Sequence, residues 1–419
     1  MNAPRPVTAK TPHPGMGFRE FVVLMAGLMA TNALSIDSML PALPAIGHAL
    51  DVAGENERQW VVTAYLLGFG GAQLIYGPLA DRYGRRPVLA VGMAIFIVFS
   101  ILAAFAWSFE TLLLARVVQG IGVAGTRVLT ISIIRDCYAG RTMARVMSLT
   151  FIVFFTVPIL APSVGQAILA VAPWPWIFGV LAIFGGVVGL WAALRLPETL
   201  HPEDRRPIAL SSIWHAVQAA LSQRVSVGYM AAQTLTTGGM FGFVTSAQQI
   251  FVDALGEEAW FPVLFALCAI GMGFASFVNA SIVERLGQRR VSHTALLALI
   301  AIALLHVTVV LAGLEQVWTF VAFQSMTMFC FGLMGSNFNS MAMEPLGHIA
   351  GTASSIQGFV TTTLGALIGS FIGQHFDGTT LPLAIGFSLI GVAILAVVLV
   401  TERGALFRPA VVRNVPVPP

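Results

Sequence analysis

The chain of 419 residues is strongly apolar: 57% of its residues are hydrophobic and only 10% are charged, with a mean hydropathy of +0.84. Most of its surface is therefore expected to face lipid, which excludes an ordinary soluble protein. The formal net charge of +3 gives no reason to expect a nucleic-acid partner, and the positions of the charges are more informative than their sum.

Apolar runs of about 20 residues, the length that crosses a hydrocarbon core of about 30 Å, occur twelve times along the chain. Each run is predicted to be a helix, because backbone polar groups in lipid have to be satisfied within the segment. The sequence therefore predicts an all-α membrane protein with twelve transmembrane helices. The runs lie at roughly 20–42, 58–77, 88–106, 110–135, 143–171, 174–194, 225–250, 260–283, 291–312, 318–343, 349–374 and 380–401.

Positive charges predict the orientation of these spans. Of the 22 Lys and Arg residues, all but Arg58, Arg116 and Arg127 fall on one side of the predicted membrane. Lys and Arg are enriched in cytoplasmic loops, so this side is expected to be the cytoplasm, with both termini in it.

The one long connection between spans falls near the midpoint and divides six spans from six. Residues 1–17 are polar and lack the short apolar segment and cleavage site of a signal peptide, so they are interpreted as a cytoplasmic tail. The predicted organisation is an N-terminal tail at 1–19, a six-helix bundle at 20–195, a cytoplasmic linker at 196–224, a second six-helix bundle at 225–402 and a C-terminal tail at 403–419.

A charged segment at 77–87 follows the second span and recurs in degenerate form at 280–290. Acid, Arg and Gly positions coincide in the two copies, which indicates an internal duplication and two pseudo-symmetric bundles. Both copies are expected to form short charged turns between spans. The candidate gating residues in them are Gly77, Asp81, Arg82, Gly84, Arg85, Arg86, Glu284 and Arg285.

Charged side chains deep in the bilayer are costly and indicate function by default. Asp37 lies roughly 17 residues into the first span and Arg116 roughly six residues into the antiparallel fourth, so the two reach a similar depth. Loss of water favours a protonated carboxyl group and an approaching cation favours an ionised one, so we interpret the pair as a conformation-dependent proton switch. The alternative is a structural ion pair between the two spans. Arg127, on nearly the same face as Arg116, either attracts an anionic or carbonyl-bearing substrate or extends toward the cytoplasm.

Polar side chains at helical spacing predict the walls of a central cavity. Two prolines four residues apart in the fifth span, Pro158 and Pro162, together with Gly165 predict a hinge. Structural packing is favoured over ligand contact for these residues, and packing that can slide is what a gate requires. The expected cavity residues are Asn32, Tyr65, Arg127, Gln233, Thr237 and Asn339.

Several chemistries are excluded by missing residues. Lys10 is the only lysine, so the chain cannot contain a P-loop for ATP. Neither H-E-x-x-H nor C-x-x-C occurs, the three cysteines are scattered, and no loop is long enough for a catalytic domain. No enzymatic activity, metal or cofactor is therefore expected, and an ion gradient remains as the energy source.

The segment 77–87, Gly-Pro-Leu-Ala-Asp-Arg-Tyr-Gly-Arg-Arg-Pro, resembles motif A of the major facilitator superfamily, and the segment 116–122 resembles its motif B. The segments 37–46, 63–68 and 344–355 resemble, more narrowly, the Bcr/CflA branch of drug:proton antiporters. The fifth span resembles the antiporter motif C in weakened form, with Ala and Gln at two positions where Gly is usual. The resemblance covers nearly the whole chain outside the tails.

This resemblance implies the major facilitator fold and alternating access between two bundles, with protons entering as drug leaves. It implies Asp37 as the membrane-embedded acid and Arg116 as the motif B arginine. It also implies a cytoplasmic latch, formed in the outward-open state by Asp81, Arg82 and Arg86.

The expected function is export of small, largely apolar drugs or metabolites across the bacterial inner membrane. The expected partners are protons, the transported small molecule and membrane lipids, and the chain is expected to be a monomer. One alternative is a proton-coupled uptake symporter for a small metabolite. The other is a non-transporting receptor or scaffold, which would have no need of a buried Asp37.

Overall fold

A computed structural model describes residues 16–205 and 217–407. The predicted tail up to residue 15, the part of the predicted linker at 206–216 and the predicted tail from residue 408 lie outside the described residues. The described residues form helices and connecting segments without a β-strand. The long helices among them are α1 Phe18–Asp37, α2 Trp60–Tyr83, α3 Arg85–Ala104, α4 Phe109–Cys137, α5 Gly140–Leu169, α6 Pro175–Arg195, α7 Arg224–Gln248, α8 Phe261–Leu286, α9 Gln288–Leu311, α10 Val317–Met343, α11 Ala350–Gln374 and α12 Leu381–Thr401.

These helices confirm the predicted all-α membrane architecture. Among the described residues, ten helices are long and apolar enough to cross a membrane by their own composition. The other two long helices, α2 and α7, have 24 and 25 residues and are interrupted by Gly, Thr and Gln. More than half of the residues in each are buried against neighbouring helices rather than facing lipid, so polar residues are tolerated there.

The charged segment 77–87 is helical rather than a turn, because α2 continues to Tyr83 and α3 begins at Arg85. Gly84 alone reverses the chain, with φ of 102°, a backbone conformation that residues with a Cβ rarely adopt. Gly287 separates α8 from α9 in the same way, with φ of 83°. The predicted multi-residue turns were therefore wrong: long charged side chains at a helix end can extend toward water while the backbone stays helical.

The two faces of the molecule are defined by the ends of the helices. We call the face at which α1 begins and α12 ends the terminal face, and the opposite face, at which α1 ends, the distal face. Helices α1–α6 form one six-helix bundle and α7–α12 the other. The two bundles contact each other along α2 against α11 and along α5 against α8.

Glycine residues allow helices within a bundle to pack closely. Within the first bundle, a Cβ added to Gly68 of α2 would lie 2.8 Å from the carbonyl carbon of Val117 in α4. Gly71, on another side of α2, has no neighbouring atom within 4 Å of the same position. Gly68 is therefore required for the approach of α2 to α4, whereas Gly71 is not.

The matched substitutions Gly68→Ala and Gly71→Ala test this packing. We expect Gly68→Ala to destabilise the protein by about 1–3 kcal/mol, because the added methyl group forces the helices apart. Gly71→Ala adds the same methyl group in open space and gains up to about 1 kcal/mol of helix propensity. The midpoint of thermal unfolding of the purified protein in detergent measures both. Equal shifts for the two variants would contradict the packing argument.

Candidate functional site

A large cavity of about 1200 Å³ lies between the two bundles. Its wall is formed by α1, α2, α4 and α5 of the first bundle and by α7, α8, α10 and α11 of the second. The lining reaches Asp81, Arg135 and Ser355 near the terminal face, so the cavity opens there. In α1 the lining extends as far as Asp37, the residue with which α1 ends at the distal face.

Hydrogen bonds between the bundles close the distal face. Asn56 Nδ2 donates to the carbonyl oxygen of Gln374 at 3.0 Å, and Gln374 Nε2 donates back to the carbonyl oxygen of Asn56 at 2.8 Å. Gln249 Nε2 donates to Asn56 Oδ1 at 2.7 Å, and Gln59 Nε2 donates to the carbonyl oxygen of Gly373 at 3.0 Å and to Gln249 Oε1. With one ion pair, these contacts form what we call the distal gate: Asn56, Arg58, Gln59, Gln249, Asp253 and Gln374.

The ion pair of the distal gate joins Arg58 of the first bundle to Asp253 of the second. Burial and the nearby Glu55 raise the pKa of Asp253 above its ordinary value, although Arg58 beside it acts in the opposite direction. The carboxylate that pairs with Arg58 is therefore lost on acidification at a higher pH than an exposed aspartate would be.

Away from the distal gate, a single hydrogen bond joins the bundles among the described residues. Gln73 Nε2 of α2 donates to Thr362 Oγ1 of α11 at 3.2 Å, part-way along the contact between these helices. The structure is therefore closed at the distal face and open at the terminal face. Sequence reasoning did not identify the gate, although Arg58 was the one cation predicted on the far side of the membrane.

Asp37 is only 5% exposed and lines the cavity. No ion pair among the described residues joins it to Arg116. The alternative of a locked ion pair between α1 and α4 therefore does not describe this conformation. Asp37 is available to a proton or a ligand that enters the cavity.

Arg116 is fully buried, and its guanidinium is held by polar groups of its own helix and of two neighbouring helices. Its Nε donates to the carbonyl oxygen of Val61 at 3.0 Å, and its two terminal nitrogens donate to Gln119 Oε1 at 2.6 Å and the carbonyl oxygen of Ser35 at 3.1 Å. The guanidinium carbon also lies 4.3 Å from the centre of the Tyr65 ring. Arg116 thus connects α4 to α1 and α2. Its contact on α1, the carbonyl group of Ser35, is two residues before Asp37.

The predicted cavity residues lie in two settings. Tyr65 does not line the cavity; it is fully buried behind the wall, beneath Arg116, and its hydroxyl donates to Asn32 Oδ1 at 3.0 Å. Arg127 is exposed to the cavity and has no ion pair or hydrogen bond among the described residues. The other predicted residues that line the cavity are Asn32, Gln233, Thr237 and Asn339.

At the terminal face, the predicted gating residues of the first copy form contacts within their own bundle. Arg85 bridges two carboxylates, with its NH1 nitrogen 2.6 Å from Asp81 Oδ1 and its Nε 3.2 Å from Asp136 Oδ2. The exposed Arg86 donates to the carbonyl oxygen of Ala193 at 2.6 Å. Arg82 is exposed and lies over the Tyr83 ring. Gly77 faces α11, where an added Cβ would lie 3.1 Å from Ser355 Oγ.

The second copy of the gating segment makes a different contact. Glu284 and Arg285 are exposed and have no hydrogen bond or ion pair among the described residues. Arg289 Nε instead donates to Glu402 Oε1 at 2.8 Å, and Tyr229 donates to the same oxygen at 2.6 Å. Burial alone would raise the pKa of Glu402, but these hydrogen bonds outweigh it and lower the pKa.

Glu198, just beyond α6, caps the start of α3 and was missed by sequence reasoning. Its Oε1 accepts from the backbone N–H of Arg85 at 2.8 Å, and its Oε2 accepts from that of Arg86 at 3.2 Å. An acid at a helix N-terminus satisfies donors that have no partner within the helix. Glu198 follows the last helix of the first bundle, and Glu402 follows the last helix of the second. This repeated acidic residue was the feature of the sequence that could have indicated both contacts.

The predicted hinge residues lie in one unbroken helix, α5, which contains Pro158 and Pro162. Pro158 lines the cavity. Gly165 packs against the segment that follows α1, where an added Cβ would overlap the Ser38 carbonyl and lie 2.9 Å from Pro41 Cγ. These contacts place α5 beside the end of α1, and the hinge stays a prediction.

A helical membrane protein with two bundles around a central cavity, open at one face and closed at the other, has the architecture of a transporter. A family model described as the Major Facilitator Superfamily matches residues 25–370. The chain belongs to this superfamily, as its motifs predicted, and is a transporter of small molecules.

Individual relatives agree with this assignment. The chain is 30% identical to an "Uncharacterized MFS-type transporter YdgK" of Bacillus subtilis, over 86% of this chain and 90% of that protein. It is 27% identical to a "Bicyclomycin resistance protein homolog" of Haemophilus influenzae, over 93% and 98%, and 27% identical to a "Multidrug resistance protein MdtL" of Klebsiella pneumoniae, over 90% and 95%. The crystal structure of the "human organic anion transporter MFSD10 (TETRAN)" has the same fold, with a TM-score of 0.62 at 18% identity, covering 91% of this chain and 99% of that one.

The ion pair of the distal gate can be tested by charge exchange. Spin labels at Asp51→Cys and Ala259→Cys report the width of the distal face, because both positions are exposed there and the native cysteines are buried. We expect Arg58→Asp and Asp253→Arg each to lengthen the distance measured by pulsed EPR, and the double variant to restore the short one. Acidification is expected to lengthen the distance as well, because protonation of Asp253, whose pKa is raised, removes the carboxylate that pairs with Arg58.

The control for this experiment is Glu57→Gln, a charge change beside the gate at an exposed residue. It is expected to leave the distance distribution unchanged. A charge-swapped double variant that stays as wide as the single variants would contradict the assignment of the pair.

The cap made by Glu198 can be tested by Glu198→Ala. Loss of three hydrogen bonds to the carboxylate, from the backbone N–H groups of Arg85, Arg86 and Leu200, is expected to destabilise the start of α3 by about 1–3 kcal/mol. Faster amide hydrogen exchange at Arg85 and Arg86 would measure this. Glu203→Ala, at an exposed residue, is the control, and equal exchange in the two variants would refute the cap.

Proposed function

We propose that this transporter exports small, largely apolar drugs or metabolites across the bacterial inner membrane in exchange for protons. The names of two relatives, a bicyclomycin resistance protein homolog and a multidrug resistance protein, support export of drugs. The observation that carries the proposal is Asp37, a buried acid without a counter-ion among the described residues, in a cavity that opens at the terminal face.

The terminal face is proposed to be cytoplasmic. Arg82, Arg86 and Arg141 are exposed at the helix ends on this face, and the positive-inside rule places such residues in the cytoplasm. The cavity would then face the cytoplasm, as an exporter requires for loading. The distal gate would separate the cavity from the periplasm.

Export requires a second conformation in which the distal gate opens and the terminal face closes. Each amide hydrogen bond of the gate can be exchanged for one to water, so opening costs only the small net value of each bond, about 1 kcal/mol. At the terminal face, Gly77 already lies against Ser355 of α11. The predicted latch of Asp81, Arg82 and Arg86 would close this face in the second conformation.

Proton coupling is assigned to Asp37 with Arg116 as its positioning residue. Arg116 holds α1 through the Ser35 carbonyl group, two residues before Asp37, so a shift of α1 against α4 changes the surroundings of the carboxyl group. A proton taken up from the periplasm would be released to the cytoplasm after the conformational change.

The lining of the cavity favours apolar cargo of moderate size. Aromatic side chains contribute to both walls, with Phe69 from the first bundle and Phe241, Phe265 and Phe331 from the second. Binding sites for drug-sized molecules are typically apolar with a few placed polar groups, and a cavity of about 1200 Å³ is large enough for them.

The substitution Asp37→Asn tests the proposal. Accumulation of a panel of antibiotics and lipophilic dyes is measured in an efflux-deficient bacterium, with and without a protonophore, at equal expression. We expect wild type to lower accumulation, and this effect to disappear with Asp37→Asn and with the protonophore, because the amide cannot carry the proton. Asp51→Asn, an equivalent change at an exposed residue, is expected to behave as wild type.

Two outcomes would contradict the proposal. Raised uptake of a compound in cells with the wild-type protein would reverse the direction and favour a symporter. A panel without any difference between wild type and Asp37→Asn would exclude drug efflux through this residue.

A further inference from the structure

Two arginines of α4 lie at different depths and have opposite surroundings. Arg116 is fully buried with hydrogen-bond acceptors around its guanidinium, whereas Arg127 is exposed to the cavity without a partner among the described residues. Arg127 lies ten residues from the end of α4 at Cys137, so about 15 Å of helix separates it from the terminal face. An intramembrane cation at this depth is expected to have a functional reason.

The wall opposite Arg127 offers no counter-ion. The lining from the second bundle contains no Asp, Glu, Lys or Arg among the described residues, and its polar members are neutral amides and hydroxyls. In the first bundle, Asp81 and Asp136 are both held by Arg85, and Asp37 lies toward the distal end. Closure of the bundles on an empty cavity would therefore leave the charge of Arg127 uncompensated.

We propose that Arg127 binds an anionic group of the transported molecule, so that the cavity selects amphipathic organic anions with a carboxylate, sulfonate or phosphate on an apolar body. A guanidinium presents N–H groups in a planar fork that fits two oxygens of such a group. The aromatic side chains Phe241, Phe265 and Phe331 supply an apolar surface in the same cavity. This inference deepens the proposed export function and rests on it.

The anion has an energetic role as well as a recognition role. Occlusion of Arg127 in an empty cavity is costly, because its charge loses water without gaining a partner. A bound anion supplies the partner, so the loaded protein closes more readily than the empty one. Arg127 thus links the charge of the cargo to the conformational change.

The test uses the purified full-length protein in phosphatidylcholine nanodiscs and three probes with the same ring system: 2-naphthoate, 2-naphthamide and 2-naphthylmethylamine. Equilibrium dialysis gives their affinities. We expect wild type to prefer the carboxylate, and Arg127→Gln to weaken carboxylate binding about 10- to 100-fold with little change for the amide. Arg127→Lys is expected to retain part of the preference, since it keeps the charge without the fork.

Arg141→Gln is the matched control, because it removes an exposed Arg outside the cavity, and it is expected to retain the preference for the carboxylate. Wild type without a preference for 2-naphthoate, or Arg127→Gln with an intact preference, would overturn the inference. Displacement of 2-naphthoate from wild type by phosphatidylglycerol in the nanodiscs would also overturn it, since the anion at Arg127 would then be a lipid headgroup.

Failure of this inference can be distinguished from failure of the proposed function. Protonophore-sensitive export of neutral dyes without carboxylate selectivity would refute anion recognition and leave proton-driven export standing. Carboxylate selectivity that depends on Arg127, in a protein that shows no efflux, would support anion recognition and refute the export function.

Discussion

The geometry of the cavity depends on the way the two bundles are held together at the distal face. Four of the six gate residues are neutral amides, and their hydrogen bonds between the bundles include four with donor–acceptor distances of 2.7–3.0 Å. Neutral amides exchange protein partners for water at small net cost, unlike buried charges. A face closed in this way suits a protein whose two conformations differ by only a few kcal/mol.

Most of the fold could be predicted from the sequence, because lipid imposes a simple rule on the backbone. A run of about 20 apolar residues has to be a helix, so ten of the helices follow from hydropathy alone, and α2 and α7 were found because they are long and still mostly apolar. The ends were less certain: α2 extends six residues beyond its predicted end at residue 77, because charged side chains do not stop a helix at the membrane surface. Only the turn chemistry of Gly84, seen in its positive φ, sets the true boundary.

The site could be predicted only in part. Rare charges such as Asp37 and Arg127 are visible in the sequence because the bilayer makes them costly. Contacts such as Asn56 with Gln249 join residues that are 193 positions apart and belong to one conformation of the protein. The sequence shows no periodicity at these gate residues, because an Asn or Gln at a bundle interface cannot be distinguished by sequence from one in a loop. Tyr65 was placed on the cavity wall for its chemistry, but it lies beneath Arg116.

The single-residue connections at Gly84 and Gly287 limit how the molecule can deform. With only one residue between helices, α2 cannot slide along α3, nor α8 along α9, without breaking a helical turn. The terminal ends of α2 and α3, and those of α8 and α9, therefore have to shift together in any conformational change. The two glycines that fold the chain most sharply thus tie neighbouring helices to each other at the terminal face.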